Sequence, residues 1–301
     1  MTGTPTIACI GECMVEFRQT GEGVFAAGFG GDTLNTAVYL SRLGRTVDYV
    51  SALGDDAWSE KMLAAWRDEG VGTDRVLRVP GGSPGLYVIE VDDKGERRFS
   101  YWRDLAPARR LFELPESDEL REALLRYDWL YVSGISLSLY GDEGRRRLFE
   151  TLDAAKAKGA RIVFDTNFRP RGWPDRDVAR ASFLRAFEAA DLLFASTEDL
   201  QLLFGEGGLK AFDAAGAAER VLKHEDLSVL VATSEGTVRV DGEPASRVVD
   251  TTAAGDSFAA AYLSARIGGA SPAQCASAGH RLAARVVQYP GALIPKDAMA
   301  P

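Results

Sequence analysis

Histidine, cysteine and long apolar runs are scarce in this chain. It has 301 residues, of which two are histidine and three are cysteine. No second cysteine pair accompanies Cys9 and Cys13, which argues against a four-ligand zinc site, and the odd, sparse cysteines argue against a disulfide framework. A run of about 18 apolar residues, the length that crosses a membrane, is absent. The N-terminus also lacks the pattern of a signal peptide, so we predict a cytoplasmic protein with small buried thiols.

Two common nucleotide-binding motifs are missing as well. No Gly-Lys dipeptide occurs, which excludes a P-loop. The segment GFGGDT (residues 28–33) has the wrong last residue for a dinucleotide fingerprint. GGSPG (residues 81–85) matches GxSxG, but a nucleophile elbow needs a helix after the serine and a strand is predicted there. A serine hydrolase at Ser83 is therefore only the last of the alternatives.

Positive charge is in deficit. There are 44 acidic against 35 basic residues, a net charge of −9, and no basic run. The surface as a whole is therefore unsuited to nucleic acid or an anionic membrane. A few well-placed arginines can still bind a small anion in an acidic protein.

Short apolar runs alternate with longer segments of helical period. The runs lie at residues 6–10, 47–53, 129–133, 161–165, 192–195 and 228–232. The helical segments include residues 33–43, which end before Gly44, a residue suited to a helix C-terminus. This alternation predicts an α/β fold with a mainly parallel sheet covered by helices on both faces. Ligands in such folds bind beyond the carboxyl ends of the strands.

One stretch departs from this pattern. Residues 86–91 and 98–103 read as two strands of a hairpin, with a turn at residues 92–96. A hairpin needs a partner surface, so we predict a small accessory sheet shared with residues 14–17 and 24–27. An edge extension of the main sheet is the alternative. The predicted organisation is a single domain over residues 1–301 with a β lid at about 13–29 and 84–104.

The segment DTTAAGDSF (residues 250–258) carries the strongest chemical signal. Small residues follow a strand end and precede a helix, and free N–H groups at a helix start bind anions. A carboxylate is unexpected beside a phosphate site. Asp256 makes sense there as the base that takes a proton from an attacking hydroxyl; the alternative is a helix cap.

This segment resembles the DTTGAGD signature of the PfkB-type (ribokinase-like) carbohydrate kinases. GGDTLNTA (residues 30–37) resembles their glycine-rich N-terminal signature. The two occur in the expected order about 220 residues apart, and the similarity covers essentially the whole chain. Within the family it is strongest to bacterial kinases of acidic keto-sugars.

The resemblance implies a ribokinase-like fold and ATP-dependent phosphorylation of a sugar 6-hydroxyl. It makes Asp256 the catalytic base and the backbone of Ala253, Ala254, Gly255 and Asp256 an anion hole. Ala253 replaces a family glycine, which alanine can do at negative φ. The implied cofactors are ATP and Mg²⁺, with a monovalent cation in some members, and the implied partner is a second copy of the chain, joined through the lid.

The substrate, an acidic keto-sugar, is expected to contact residues of the first signature, of the lid and of one later loop: Gly31, Asp32, Asn35, Tyr87, Tyr101, Arg103 and Arg169. Gly31 would let the sugar approach the backbone. Asp32 has a second interpretation as the N-cap of the first helix. Arg103 and Arg169 suit the substrate carboxylate and the transferred phosphate, because guanidinium binds either group through two parallel hydrogen bonds.

The nucleotide side is less clearly marked. The family's NxxE motif retains only Glu198, which would hold Mg²⁺ through water or, alternatively, favour the start of a helix. The expected ATP-loop positions are Thr233, Ser234 and Gly236, together with Gly255. The two histidines, His224 and His280, are interpreted as structural.

Two other functions remain open at this point. The chain could be a PfkB-type kinase of another substrate, such as fructose, tagatose phosphate or a nucleoside. It could also be a catalytically inactive sugar-binding regulator, which the incomplete NxxE and ATP-loop motifs favour and the intact Asp256 opposes.

Overall fold

Short runs rich in β-branched residues form the strands, as the sequence predicts. The computed structural model describes residues 4–91 and 97–299, and within them lie thirteen strands. In chain order they are β1 (Thr6–Ile10), β2 (Met14–Gly21), β3 (Val24–Gly30), β4 (Thr46–Leu53), β5 (Val76–Arg78), β6 (Leu86–Val91), β7 (Arg97–Trp102), β8 (Trp129–Ser133), β9 (Arg161–Asp165), β10 (Leu192–Ser196), β11 (Glu219–Lys223), β12 (Ser228–Thr233) and β13 (Gly236–Asp241).

Nine of these strands form one large sheet, in the order β13-β12-β11-β10-β9-β8-β1-β4-β5. The pairs from β11 to β5 are parallel, whereas β12 and β13 run antiparallel to their neighbours. Alternate residues of β1 enter two different hydrophobic clusters: Ile7 and Cys9 belong to one, Ala8 and Ile10 to the other. The sheet is therefore covered on both faces, which confirms the predicted architecture.

Ten α-helices surround the sheets in the described ranges. They are α1 (Asp32–Arg42), α2 (Ala57–Asp68), α3 (Ser117–Leu124), α4 (Gly134–Leu139), α5 (Asp142–Ala157), α6 (Arg176–Ala189), α7 (Thr197–Phe204), α8 (Gly208–Asp213), α9 (Ala254–Ile267) and α10 (Pro272–Val286). Gly44 follows α1 with φ 79°, the left-handed conformation predicted for a helix C-terminus. None of the helices in residues 4–91 and 97–299 has the length and apolarity needed to cross a bilayer.

The other four strands form a separate small sheet, in the order β3-β2-β6-β7. The parallel pairing of β2 with β6 joins the hairpin β6-β7 to the hairpin β2-β3. The accessory sheet is thus confirmed, and the edge-extension alternative is wrong. The turn predicted at residues 92–96 lies outside the described residues. We call this sheet the lid.

The three cysteines, Cys9, Cys13 and Cys275, are free and buried, as predicted. Ser83 lies between β5 and β6, so a strand follows it. A nucleophile elbow requires a helix at that place, and the GxSxG match is therefore coincidental.

Helices α9 and α10 pack closely because a glycine lies at their contact. A Cβ atom at Gly279 of α10 would lie 2.7 Å from two ring carbons of Phe258 in α9. Phe258 is itself buried and in edge contact with Phe194 of the sheet. The glycine therefore fixes how near α10 approaches the helix that carries Asp256.

We predict that Gly279→Ala destabilises the protein although alanine is the better helix former. Overpacking typically costs 1–3 kcal/mol, roughly, and the gain in helix propensity offsets about 1 kcal/mol of it. Urea denaturation should show a net loss in the free energy of unfolding.

The matched control is Gly216→Ala. A Cβ atom there meets only the Glu188 carbonyl oxygen at 3.9 Å. The free energy of unfolding of Gly216→Ala should stay within about 0.5 kcal/mol of the wild-type value. Equal stability of Gly279→Ala and wild type would contradict the packing argument.

Candidate active site

The carboxyl ends of three neighbouring strands bring polar side chains together. Asp165 ends β9, Ser196 ends β10 and Lys223 ends β11, and the parallel register places Ser196 beside Lys223. They line a cleft of about 660 Å³ between the large sheet and the lid. This is the edge at which ligands of parallel sheets bind.

The start of α9 forms one wall of the cleft, with residues 251–256 among its lining. The first N–H groups of a helix have no partner within the helix, so those of Gly255 and Asp256 are available to an anion. The Asp250 carboxylate holds the preceding loop in place. It accepts hydrogen bonds from Thr252 N (2.9 Å), Thr252 Oγ1 (2.6 Å) and Gly291 N (2.9 Å).

Ala253 corrects one expectation. It precedes α9 with φ 61° and ψ 14°, in the left-handed region, whereas a negative φ was expected of an alanine in a glycine position. Ala253 is the N-cap residue of α9, where the loop that follows Asp250 joins the helix. An L-residue adopts the left-handed conformation at a cost of roughly 1–2 kcal/mol, so this chain carries local strain where the family signature has glycine.

Asp256 is 9% exposed and faces other acidic groups. Its Oδ2 accepts a hydrogen bond from Asn35 Nδ2 at 2.8 Å. Burial above all, and then the Asp32 carboxylate, raise the pKa of Asp256 to about 8, although the Asn35 hydrogen bond and the Lys223 charge act in the opposite direction. A carboxyl group that titrates near neutral pH suits a general base.

The first signature contributes three expected residues to the cleft: Gly31, Asp32 and Asn35. A Cβ at Gly31 would lie 2.3 Å from the Glu12 carbonyl oxygen, so the protein's own backbone requires this glycine, whatever the sugar requires. Asn35 was expected to face a sugar hydroxyl. Its amide nitrogen instead donates to Asp256, and its Oδ1 is buried with no hydrogen-bond partner among the described residues.

Asp32 is not a helix cap. It is the first residue of α1, Gly31 holds the N-cap position, and no side chain caps the helix. The Asp32 Oδ2 atom accepts a hydrogen bond from Asn167 Nδ2 at 2.8 Å. The cap interpretation of Asp32 is therefore wrong, and its contact with the substrate stays a prediction.

Aromatic side chains of the lid line the cleft. Tyr87 and Tyr101 line the cleft as predicted, together with Phe99, which sequence reasoning missed. The Tyr87 hydroxyl donates to the Glu16 carboxylate, and its ring centroid lies 5.9 Å from that of Tyr101. Flat aromatic surfaces of this kind can cover the apolar face of a sugar.

The two predicted arginines are not brought together. The Arg103 guanidinium pairs with the buried Glu12 carboxylate and is not among the groups that line the cleft. Arg169 does line the cleft. Its Nη1 donates to the Phe168 carbonyl oxygen at 2.9 Å and lies 3.7 Å from Asp199 Oδ1.

The predicted ATP-loop residues are misplaced. β12 is antiparallel to β11, and Thr233 pairs with Glu219 at the start of β11. Thr233, Ser234 and Gly236 therefore lie at the amino edge of the parallel strands, the end of the sheet opposite Asp256. The segment after β11, which begins at His224, leaves the sheet at the correct edge.

Glu198 lines the cleft, and its role as a metal ligand stays a prediction. Glu198 and Asp199, in the first turn of α7, both line the cleft, and Asp199 Oδ2 accepts a hydrogen bond from Thr166 Oγ1 at 2.6 Å. No group of three or more metal-binding side chains occurs in the described parts of the chain. Mg²⁺ commonly takes one or two carboxylates plus substrate phosphates and water, and this donor set fits that mode.

Sequence reasoning missed Lys223, Asp165, Asn167 and Asp199 as cleft residues. The usable signal was their position: Asp165 and Lys223 end parallel strands, and Asn167 and Asp199 follow strand ends closely. Lys223 was hidden because its strand was not recognised.

A protein-family profile and several relatives match this chain over nearly its full length. The family profile described as pfkB family carbohydrate kinase matches residues 4–299. A 2-dehydro-3-deoxygluconokinase of Dickeya dadantii (strain 3937) is 43% identical over 98% of this chain and 99% of its own length. One of Escherichia coli (strain K12) is 42% identical over 97% and 98%. The structure of a fructokinase with bound ATP from Xylella fastidiosa shares the fold, with a TM-score of 0.84 at 24% identity over 98% of this chain and 95% of that chain.

We predict that Ala253→Gly stabilises the protein and Ala254→Gly destabilises it. Glycine relieves the left-handed strain at residue 253, a gain of about 1 kcal/mol after its greater freedom in the unfolded chain is counted. At residue 254, the first residue of α9, φ is not left-handed, so the same change relieves no strain and costs up to about 1 kcal/mol in helix propensity. Differential scanning calorimetry should show melting temperatures shifted in opposite directions. Shifts of the same sign would contradict the strain assigned to Ala253.

We also predict that Asp256→Asn is more stable than wild type at alkaline pH. The folded state holds the Asp256 proton more tightly than the unfolded chain, in which aspartate titrates near about 4. Stability due to this carboxyl is therefore present at low pH and lost as pH rises from about 4 towards about 8. The advantage of the asparagine variant should grow over this window, to roughly 2 °C or more at pH 8.

The matched control for this experiment is Asp213→Asn, at an exposed position at the end of α8. Its melting temperature should track that of wild type at every pH. A stability advantage of Asp256→Asn that does not change between pH 4 and pH 8 would contradict the raised pKa of Asp256.

Proposed function

The chain belongs to the pfkB family of carbohydrate kinases, and we propose that it transfers the γ-phosphoryl group of ATP to the 6-hydroxyl of 2-dehydro-3-deoxy-D-gluconate. The product is 2-dehydro-3-deoxy-6-phosphogluconate. The observation that supports this choice of substrate is the 43% identity to a 2-dehydro-3-deoxygluconokinase, over nearly the full length of both chains. The geometry supports it with a carboxyl base, an anion-binding helix start and an aromatic lid around one cleft.

Asp256 acts as the general base. Asn35 holds one of its carboxylate oxygens, which leaves the other for the 6-hydroxyl. As the hydroxyl oxygen attacks phosphorus, its proton passes to Asp256 and the bond from phosphorus to the ADP oxygen breaks. The N–H groups at the start of α9 stabilise the charge on the phosphoryl oxygens.

The substrate carboxylate is recognised by arginine. Arg169, 60% exposed at the cleft, is free to reorient towards it and makes a paired hydrogen bond with a carboxylate. Arg103 reaches the substrate only when it releases Glu12. Asp32 and Asn167, already joined at 2.8 Å, offer hydrogen bonds to the hydroxyl groups, and Tyr87 and Tyr101 cover the sugar.

ATP lies along the carboxyl edge towards β11. Exposed apolar side chains, Leu227 after that strand and Val248 and Val249 before residue 250, suit the adenine ring. Mg²⁺ bound to the ATP phosphates would neutralise charge during transfer, and Glu198 and Asp199 are the residues that would hold it. The misplaced Thr233–Gly236 motif no longer favours an inactive regulator, because those residues lie away from this cleft.

The lid also supports association of two copies. Val24, Phe25 and Trp102 are exposed on it, Trp102 to 60%. Val24 and Phe25 lie on β3 and Trp102 lies on β7, the two edge strands of the lid, and a second copy of the chain would cover such exposed apolar groups. We retain a homo-oligomer joined through the lid as part of the proposal.

The test is an ADP-release assay with ATP, Mg²⁺ and a panel of 2-dehydro-3-deoxygluconate, its galacto epimer, fructose and ribose, in potassium and in sodium buffer. We expect the keto-acid sugar to exceed fructose and ribose by at least about 100-fold in kcat/KM, because a neutral sugar lacks the carboxylate with which Arg169 would form two parallel hydrogen bonds. Asp256→Asn should lower kcat by about 10²–10⁴, whereas Asp213→Asn should not. Phosphorus coupling to the C6 protons in the product's NMR spectrum identifies the acceptor oxygen.

Turnover of fructose or ribose without turnover of the keto-acid sugar would refute the substrate. Calorimetry that detects no ATP binding would instead favour the inactive regulator. An unchanged kcat in Asp256→Asn would remove Asp256 from the chemistry.

A further inference from the structure

A buried ion pair at the base of the lid leaves some of its polar atoms unused. The Glu12 side chain is 1% exposed, and its Oε2 accepts a hydrogen bond from Arg103 Nη2. The other carboxylate oxygen, Glu12 Oε1, and the Nε of Arg103 are buried without a hydrogen-bond partner among the described residues. A buried ion pair offsets its lost hydration only when its remaining donors and acceptors are also satisfied. Arg103 is therefore held by fewer contacts than a permanent structural pair requires.

The pair lies beside the wall of the cleft. Glu12 precedes β2 and Arg103 follows β7, so the two residues stand where the chain enters and leaves the lid. Gly85 makes room for both. A Cβ atom there would lie 3.1 Å from Glu12 Oε1 and 3.1 Å from the Arg103 Cβ, and 2.9 Å from Met14 Cγ. Met14 lines the cleft, as does Tyr101, so the Arg103 guanidinium needs only a rotation of its own side chain to enter it.

Glu12 depends on Arg103 to stay ionised. Burial above all raises the pKa of the Glu12 carboxyl, and Arg103 opposes this through its charge and its hydrogen bond. If the guanidinium turns to another carboxylate, both influences are lost and Glu12 binds a proton. Titratable groups near Glu12 include an acidic residue at the start of α1, two arginines and two buried groups that are neutral: Asp32, Arg103, Arg109, Cys13 and Tyr140.

We propose that Glu12 is a positioning residue that selects acidic sugars by exchange: it holds Arg103 while the cleft is empty, releases it to the substrate carboxylate, and takes up one proton from the buffer. This inference rests on the proposed kinase function and deepens it. The substrate carboxylate replaces Glu12 as the partner of the guanidinium, and the proton neutralises the carboxylate that is left behind. No covalent bond other than this O–H is formed or broken. A neutral sugar offers no carboxylate, so Arg103 stays with Glu12.

The substrate carboxylate has room for this second arginine. Its two oxygens offer about four lone-pair sites, so it can accept hydrogen bonds from Arg169 and Arg103 together. The Arg169 side chain is 60% exposed, whereas that of Arg103 is 20% exposed. A charge-assisted hydrogen bond is stronger where water is excluded. Arg103 therefore contributes more to the discrimination between acidic and neutral sugars.

A structural alternative is that the pair only fastens the two ends of the lid. A fastening stabilises the fold and affects every sugar alike, because it responds to no feature of the ligand. Exchange makes a different demand, since the acidic sugar must bind with uptake of a proton and an uncharged sugar must not. The affinity for the acidic sugar then falls as pH rises.

The experiment is calorimetric titration of wild type and Glu12→Gln with 2-dehydro-3-deoxygluconate and with its uncharged amide, in two buffers of different ionisation enthalpy. Glutamine keeps the shape of Glu12 and an acceptor for Arg103 but does not titrate. We expect wild type to take up more protons with the acid than with the amide, by up to about one per site, and the variant to show no such difference. A change in the protonation of Asp256 is common to both ligands and cancels in this comparison.

Steady-state kinetics supply a second measurement. In wild type, KM for the acidic sugar should rise with pH by up to about 10-fold per unit, and it should rise less in Glu12→Gln. At about pH 8 the variant should have a KM about 10-fold lower than wild type and a kcat within about 2-fold. The matched control is Glu69→Gln, which removes a glutamate–arginine pair with Arg42 at 2.7 Å, outside the lining of the cleft. It should follow wild type in both measurements.

Equal proton uptake with the acid and the amide in wild type would overturn the exchange and leave the kinase function intact. An acid-specific uptake that persists unchanged in Glu12→Gln would overturn it as well. If the variant does not fold, the two ligands in wild type decide alone: acid-specific uptake supports the exchange, and its absence rejects it. Failure of wild type to bind or phosphorylate the acidic sugar would instead refute the proposed function itself.

Discussion

The hydrogen bond from Asn35 to Asp256 joins the two signature segments, and the two residues lie 221 positions apart in the sequence. It fixes the starts of α1 and α9 against each other at the carboxyl edge of the sheet. Thr36 Oγ1 adds a second contact to the Asp256 carbonyl oxygen at 3.4 Å. Because Asn35 and Thr36 are both buried, a rotation of α9 would break both contacts. The position of the carboxylate is thus set by helix packing and not by a loop.

The same packing brings like charges together. Burial raises the pKa of Asp256, and the Asp32 carboxylate in the first turn of α1 raises it further. Simultaneous ionisation of both carboxyl groups is therefore unfavourable. The start of α9 adds backbone strain at Ala253. Such local costs are typical of functional sites and are offset by the rest of the fold. A net charge of −9 therefore says little about anion binding, which in the proposed function depends on Arg169 and on the start of α9.

Much of the fold was predictable because several strands of the large sheet consist mainly of apolar residues. β1, β8 and β9 have the predicted bounds, and the lid was visible as a hairpin that breaks the strand–helix alternation. β11 was missed because only Val221 and Leu222 in it are large and apolar. Its charged ends have specific partners, Arg266 for Glu219 and Asp165 for Lys223, which a hydrophobicity pattern cannot detect. Without β11, the ATP loop was predicted at the end of β12, which lies at the opposite edge of the sheet from Asp256. The φ of Ala253 and the pairing of Arg103 with Glu12 likewise depend on tertiary contacts.

β11, which was not predicted from the sequence, also fixes the geometry of one part of the site. At its start, Glu219 accepts hydrogen bonds from Tyr262 and Arg266 of α9, the latter at 2.7 Å. At its end, Lys223 approaches the first turn of the same helix. β11 and α9 are therefore held together at both ends, and each is a regular element whose length does not change. The separation between the Lys223 ammonium and the helix start follows from these two fixed lengths, so this part of the cleft is organised before any ligand arrives.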